Sequence, residues 1–507
     1  MKETNQLKAG IALSYLNMGI SMVIPMLYTP IMLRLMGQAE YGLYNLSHSV
    51  ISYLSLLNLG MGTAILRYLM KFRAEGDQTG FQRMAGLFQT IYGIIGLVAI
   101  VVGFGLTGLT GTLFARGLTA QEVQKMNVLI IIMSVNTGIS FAGSVYNSMI
   151  YCYERHIFQK AIGIAGTIVL PLLNLTALYF GFASVGLAVI GVLLSVVTQL
   201  MNIWYCVKKL GVMPRFDHMP IKLLKEILPF SLFMFMSMVA DMLFWAIDKV
   251  FIGALIGTSA VAVYNIGATF QSIMQNMNGA ISSVFAPRVN QIVFSGQPIS
   301  SNSELLIRVG RIQYLIVSLI LSGFVVFGQQ FIGIWAGSGY EEAYYVALLT
   351  MFPMSIPLIQ STAFITITAM NRHQFRAVLY LIMAVANAVS TFFLIPVMGI
   401  TGAALCTCIT VVLGQGLILN WFYYKKIGLD IPSFWKSIMR MSIVPAVLAV
   451  VCLLLDLQMN TLWELLLGIA VYTVIFCTLS WFVTMNPYEK NLVTGMLRKA
   501  LPGKDKK

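Results

Sequence analysis

Asp241, Trp245 and Asp248 follow one another at i, i+4 and i+7. On a helix they share one face and present a carboxylate, an aromatic ring and a second carboxylate. Carboxylates that accept from hydroxyls beside an aromatic face can hold a sugar. The three lie in ADMLFWAIDKVFIGALIGTSAVAVYNIGATFQSIMQNMNGAISSVFAPR, residues 240–288, which reads as two apolar helices that also carry Lys249, Gln271, Gln275 and Asn278. A charge at the middle of a membrane helix costs roughly 2.5–3.5 kcal/mol, so such side chains are expected to face water or one another. Counted from a helix start near Leu228, Asp241 falls near the midplane and is the candidate for binding or for coupling to an ion. Asp248 and Lys249 approach the outer end.

A second set is basic. Arg67 and Arg288 end equivalent helices, and Arg308 and Arg311 stand three residues apart on one face. A guanidinium fork suits phosphate because it makes two hydrogen bonds at once. These arginines could form a basic vestibule for a diphosphate; the competing use is anchoring by snorkelling at the inner interface. His48, near the middle of an apolar stretch, could carry a proton or simply bond a neighbouring helix. Polar residues recur at helical spacing elsewhere: Ser14, Asn17, Ser21 and Tyr28; Tyr44, His48, Ser52, Ser55 and Asn58; Asn136, Ser140 and Asn147; Gly267, Gln271, Gln275 and Asn278. Such stripes either wall a hydrated cleft or bond helix to helix. Their recurrence in several helices favours the cleft.

Known catalytic signatures are missing. The sequence holds neither a GxxxxGK[ST] phosphate loop nor an HExxH pair, and its cysteines form no CxxC. We expect free thiols, no metal, no cofactor and no enzymatic activity. Any energy input must come from an ion gradient, the membrane potential or downstream consumption.

The elements that must position these residues are membrane helices. Hydrophobic residues make up 58% of the chain and charged ones 10%, and apolar runs of about 20 residues return along its length, giving about fourteen spans. The net charge of +14 would suggest nucleic acid in a soluble chain. Here the lysines and arginines cluster in alternate connections and both tails, whereas the other connections hold only Arg34, Arg116 and Lys125. That pattern is topology, places both termini in the cytoplasm and excludes nucleic acid as the partner. The first apolar run continues without a clear cleavage site and is expected to be kept as the first helix.

Internal repeats organise the spans. Ile203-Trp-Tyr-Cys-Val-Lys-Lys-Leu-Gly211 aligns with Asn420-Trp-Phe-Tyr-Tyr-Lys-Lys-Ile-Gly428, and Arg155-His-Ile-Phe158 with Arg372-His-Gln-Phe375, at an offset of 217. Gly37, Tyr44-Asn45 and Asn58 recur as Gly257, Tyr264-Asn265 and Asn278 at an offset of 220. Six spans separate the copies, an even number, so the repeat is parallel. The expected organisation is an all-α polytopic membrane protein: an N-terminal six-helix lobe (1–211), a cytoplasmic linker with an interfacial helix (212–228), a C-terminal six-helix lobe (229–428), two additional spans (429–485) and a basic tail (486–507). Lys222 and Lys225 among leucines suggest the interfacial helix, and the tail suits anionic lipid.

Met32-Leu-Arg34-Leu-Met-Gly37-Gln-Ala-Glu-Tyr41-Gly42-Leu-Tyr44, Leu59-Gly-Met-Gly-Thr-Ala-Ile-Leu-Arg67-Tyr68 and Asp248-Lys-Val-Phe-Ile-Gly253 resemble segments of the polysaccharide flippase (Wzx-like) family within the multidrug/oligosaccharidyl-lipid/polysaccharide exporter superfamily. The resemblance covers essentially the whole chain. It implies two lobes around a central polar cavity that opens alternately to either side. The cargo would be a lipid-linked oligosaccharide, carried on a polyprenyl diphosphate from the cytoplasmic to the outer leaflet. Arg34, Arg67 and Arg288 would meet the diphosphate, and envelope glycan polymerases or glycosyltransferases would be partners. Two alternatives share the superfamily. One is a lipid II flippase; the other is a cation-coupled multidrug exporter, which usually places acids inside the first lobe, where Glu40, Glu75, Asp77, Glu122, Glu154 and Asp217 fall in or beside connections instead.

Overall fold

The computed structural model describes residues 3–220, 223–455, 457, 459 and 461–500. Every regular element among them is helical. In order they are α1 (Glu3–Met36), α2 (Gln38–Ser52), a 3-10 turn (Tyr53–Asn58), α3 (Met61–Ala74), α4 (Gln78–Leu113), α5 (Ala120–Cys152), α6 (His156–Tyr179) and α7 (Ala183–Trp204), which ends in a π-helical turn (Tyr205–Leu210). There follow α8 (Leu224–Trp245), α9 (Ile247–Leu255), α10 (Thr258–Phe294), α11 (Ile299–Trp335), α12 (Ala343–Ile359), α13 (Ser361–Ala369), α14 (Gln374–Val411) and α15 (Leu419–Phe422), the last between π-helical turns Val412–Ile418 and Tyr423–Ile427. The chain closes with α16 (Ile431–Met441), α17 (Ile443–Leu454), α18 (Leu462–Leu479) and α19 (Pro487–Ala500).

Helix starts are set by side chains that take up otherwise unpaired backbone donors. Asp77 accepts the Gly80 N–H at 2.8 Å to open α4, and Thr119 with Glu122, then Thr461 with Glu464, form capping boxes on α5 and α18. Many large apolar side chains point outward, among them Phe393, Leu454 and Trp463, as lipid contact requires. Nine of the described helices are long and apolar enough to cross a membrane, ten if α12 and α13, bent by 47°, count as one span. This is a multi-pass membrane protein.

The count among the described residues is consistent with fourteen spans, and two breaks in the helices lower it. Gly399, at φ 61° and ψ −145°, divides the 54-residue stretch Gln374–Ile427 into two helices. The second expected span breaks at Leu59, whose φ of 49° lies in the left-handed region that a leucine enters at a cost of roughly 1–2 kcal/mol. Its halves α2 and α3 have only 15 and 14 residues.

The chain forms two compact units: unit 1 is Met1–Asn265 with Thr391–Gly399, and unit 2 is Ile266–Ser390 with Ile400–Lys507. Unit 1 thus takes in α8, α9 and the first turns of α10 in addition to residues 1–211. Leu224–Leu228, expected within an interfacial helix, are instead the opening turns of α8, with Ile227 buried and Lys225 exposed. Lys222 lies outside the described residues, as do 501–507 of the tail. The loop before α8 is tied to α4 by the Arg215 N–H donating to the Gln82 carbonyl at 2.9 Å. Arg83 meets Asp217 there at 3.0 Å and holds that carboxyl below its usual range.

The repeat read from the sequence recurs as local geometry. Phe158 stacks on Tyr205 with centroids 3.8 Å apart and an interplanar angle of 15°. Its counterpart Phe375 stacks on Phe422 at 4.2 Å and 10°. The π-helical turns end at Gly211 and Gly428, at φ 67° and 87°, where a residue without a Cβ reverses the chain. Val212 N–H then donates to Cys206 O at 3.1 Å, and Leu429 N–H to Tyr423 O at 3.0 Å. Glu154 and Asn371, also 217 apart, both adopt left-handed φ, 56° and 54°.

Candidate functional site

In unit 1 a polar latch joins α2, α5 and α7 to the hairpin of α9 and the start of α10. Asn265 Nδ2 donates to Tyr41 Oη at 2.9 Å, Lys249 Nζ donates to Asn265 Oδ1 at 2.6 Å, and Tyr264 Oη donates to Asp248 Oδ2 at 2.7 Å. Asp248 is 2% exposed, so its charge is met by neighbours and not by lipid. Beside these, Thr258 Oγ1 donates to Glu122 Oε1 at 2.7 Å. Glu40 accepts from Lys125 Nζ at 2.7 Å and from the Ser184 N–H at 3.0 Å, and is also bonded by the Ser184 hydroxyl. The carboxylates of Glu40 and Glu122 therefore serve as cross-helix acceptors.

Gly42 makes the latch possible. A Cβ built there would lie 1.8 Å from the Thr258 carbonyl oxygen, so only glycine lets α2 approach α10 this closely. Gly42→Ala is expected to lower stability by about 1–3 kcal/mol through overpacking, measured as a lower thermal midpoint of the detergent-solubilised protein.

The sequence-predicted residues of unit 1 are distributed as follows. Arg34 is exposed in the last turn of α1 and Arg67 exposed on α3. Asn58 is half-buried and accepts from Tyr92 Oη at 2.8 Å. Asp241 is exposed on α8, while Trp245 is half-buried with its ring edge-on to Phe244. Asp241, Trp245 and Asp248, expected on one face, differ in exposure. The break between α8 and α9 falls at Ala246, between the two aspartates; Asp241 is exposed and Asp248 is buried in the latch.

His48 opens onto a cavity of about 360 Å³ inside unit 1, between α2, α5, α6 and α7. Tyr44, His48, Asn136, Thr137, Ser195, Thr198 and Gln199 supply its polar lining, and leucine, isoleucine, methionine, alanine and glycine the rest. Ser195, Thr198 and Gln199 were not singled out from the sequence. Their spacing of three and four residues in an otherwise apolar α7 was the available signal.

The stripe of α10 lies largely inside unit 2. Gln271 and Asn278 are 4% and 3% exposed, and Gln275 is half-buried. Asn278 Nδ2 donates to Leu358 O at 2.9 Å, a carbonyl in the last turn of α12 that also accepts the Gln360 N–H. One turn along, Gln313 Nε2 bridges Ser282 Oγ at 2.9 Å and Ser361 Oγ at 2.8 Å. Arg288 is exposed, with Nη1 donating to Gln291 Oε1 at 2.9 Å. Arg308 pairs with Glu304 on its own helix and lies 5.2 Å from the Tyr488 ring centroid. Arg311 is 9% exposed. Its guanidinium bonds both oxygens of Glu489, Ser437 Oγ at 2.8 Å and Thr484 O at 2.8 Å. Those donors are committed inside the unit, which explains why Arg308 and Arg311, neighbours in sequence, have different surroundings.

A family profile described as polysaccharide biosynthesis protein matches residues 7–293. The chain is 19% identical over 496 residues to the membrane protein EpsK of Bacillus subtilis, covering 95% of this chain and 96% of EpsK. It is 20% identical over 406 residues to a Shigella flexneri protein named as an O-antigen transporter, covering 77% and 91% of the two chains. Among solved structures, the lipid II flippase MurJ in an inward closed conformation aligns with a TM-score of 0.71 at 14% identity, over 95% of this chain and 100% of that one. An inward-facing multidrug transporter of the MATE family in the MOP superfamily aligns with a TM-score of 0.62 at 14% identity, over 83% and 99%. The all-α fold is therefore like that of MurJ and of the MATE transporter.

Proposed function

This chain belongs to the polysaccharide biosynthesis protein family, and from that premise we propose that it is a flippase for a polyprenyl-diphosphate-linked oligosaccharide, moving it from the cytoplasmic to the outer leaflet by alternating access. The observation that carries this is the alignment over 406 residues with the protein named as an O-antigen transporter. The physics agrees. A charged glycan head cannot cross hydrocarbon unaided, whereas polar surfaces inside a helical bundle can carry it while the lipid tail stays in the bilayer.

In this reading the protein sits in the cytoplasmic membrane with both termini inside, as the distribution of lysine and arginine favours. The repeated lobes 1–211 and 229–428 are the bodies that alternate. The exposed guanidiniums of Arg67 and Arg288 are the diphosphate contacts, with Arg34 serving near the outer end. Asp241 and Trp245 meet sugar, Asn58 and Gln275 are polar surface along the route, Gln271 and Asn278, buried in this state, join it as the lobes alternate, and His48 or Asp241 carries a coupling proton or ion. The latch of Tyr41, Glu122, Thr258 and Asn265 then lies at the outer end and must part for release. The chain performs transport and no bond chemistry, with anionic lipid and envelope glycan enzymes as its partners.

A second reading, lipid II flipping, is favoured by the TM-score of 0.71 to MurJ. One experiment separates the two. Deleting the gene is expected to make a lipid-linked oligosaccharide other than lipid II accumulate on the inner face of the membrane. Accumulation of lipid II would establish the second reading, and no accumulation of either would refute both.

A further inference from the structure

The cavity inside unit 1 differs in chemistry from the arginine contacts proposed above. Its volume of about 360 Å³ falls in the range of small-molecule sites and equals about a dozen waters at roughly 30 Å³ each, enough for a sugar ring with a few waters. Its polar lining is Tyr44, His48, Asn136, Thr137, Ser195, Thr198 and Gln199, and no aspartate, glutamate, lysine or arginine is among the lining residues. A diphosphate placed there would find no cation. A metal ion would find no carboxylate. The occupant that fits is neutral, with many hydroxyl groups and an apolar face for the leucine-rich wall.

Two lining amides each carry an oxygen with no hydrogen-bond partner, packed into the wall and reached from the cavity by a turn of the side chain. Asn136 Oδ1 and Gln199 Oε1 are buried without a hydrogen-bond partner, and an unmet buried acceptor costs about 1–3 kcal/mol. The position of Gln199 is also built into the neighbouring helix: a Cβ at Gly143 would come within 1.9 Å of the Gln199 amide. The absence of a side chain at residue 143 is what admits the glutamine.

We propose that this cavity is a saccharide subsite, which holds an uncharged sugar ring of the lipid-linked cargo through hydroxyl or amide donors to Asn136 and Gln199. This rests on the flippase reading and adds to it a division of labour. The diphosphate is read by arginine, and the glycan by a neutral pocket within the first lobe.

The test uses the full chain in phospholipid nanodiscs with two probes, undecaprenyl diphosphate and undecaprenyl diphosphate carrying one N-acetylglucosamine. The native protein is expected to bind the glycosylated lipid at least about tenfold tighter than the bare one. Asn136→Leu with Gln199→Leu should abolish that preference while leaving bare-lipid affinity within about twofold. Thr198→Val, nearly isosteric and a milder change to the fold, should reduce the preference severalfold. Equal binding of both lipids by the native chain, or an undiminished preference in the variants, overturns the subsite alone. Specific binding of neither lipid overturns the flippase reading and the subsite with it.

Discussion

Arg311→Ala lowers the stability of the solubilised protein by about 3–5 kcal/mol, the largest stability loss expected from any single substitution considered. Glu489 is 2% exposed and accepts from two guanidinium nitrogens and from the Asn486 N–H at 2.9 Å. Removing the arginine leaves a buried carboxylate with one backbone donor, and also frees the Thr484 carbonyl and the Ser437 hydroxyl. The expected outcome is release of α19 from α11 and a much lower thermal midpoint. A buried pair is expensive to break but adds little over an apolar replacement of similar volume. Arg311→Met with Glu489→Leu should therefore recover most of the loss. If the single and double variants melt together, the ion pair is not what holds α19.

Arg67→Ala reduces transport about tenfold to a hundredfold with little change in melting temperature. The side chain is exposed on α3, so its loss opens no cavity and a surface pairing lost with it costs at most about 1 kcal/mol, whereas a charge-assisted hydrogen bond to phosphate is worth about 1.5–3 kcal/mol. Each 1.4 kcal/mol corresponds to about a factor of ten. Arg67→Lys separates charge from geometry, because lysine keeps the charge and loses the two-pronged fork. Its activity is expected to lie between those of the native and alanine proteins. Rates can be read as surface-glycan output in a deletion strain carrying each variant. Full activity of Arg67→Ala at native expression would remove Arg67 from the cargo path.

What the sequence disclosed and what it concealed divide along physical lines. Local and periodic features were legible, because the repeat is written twice: the same stacked ring pair, the same π-helical turn and the same glycine reversal appear at Gly211 and Gly428. Interactions between distant segments were not. Arg311 and Glu489 are 178 residues apart, and nothing local marks a glutamate in a basic tail as the partner of a buried arginine. Asp248 follows Asp241 by two turns, yet one is buried and the other exposed, because the partner of Asp248 is Tyr264 on α10, which a periodicity argument on one helix does not reach. Gln271 and Asn278 were legible as polar and as needing a partner. That the partner of Asn278 is the Leu358 carbonyl depends on how α10 meets the last turn of α12. The polar face of α7 was overlooked because its three residues sit within one long apolar run.

The central claim is best tested by reconstituting the purified chain in proteoliposomes loaded on one leaflet with a fluorescent undecaprenyl-diphosphate oligosaccharide, and following its exposure to a membrane-impermeant quencher. Protein-dependent movement of the oligosaccharide lipid, slowed by Arg67→Ala, is the predicted result. Movement no faster than in protein-free vesicles, across every ion gradient imposed, would contradict it.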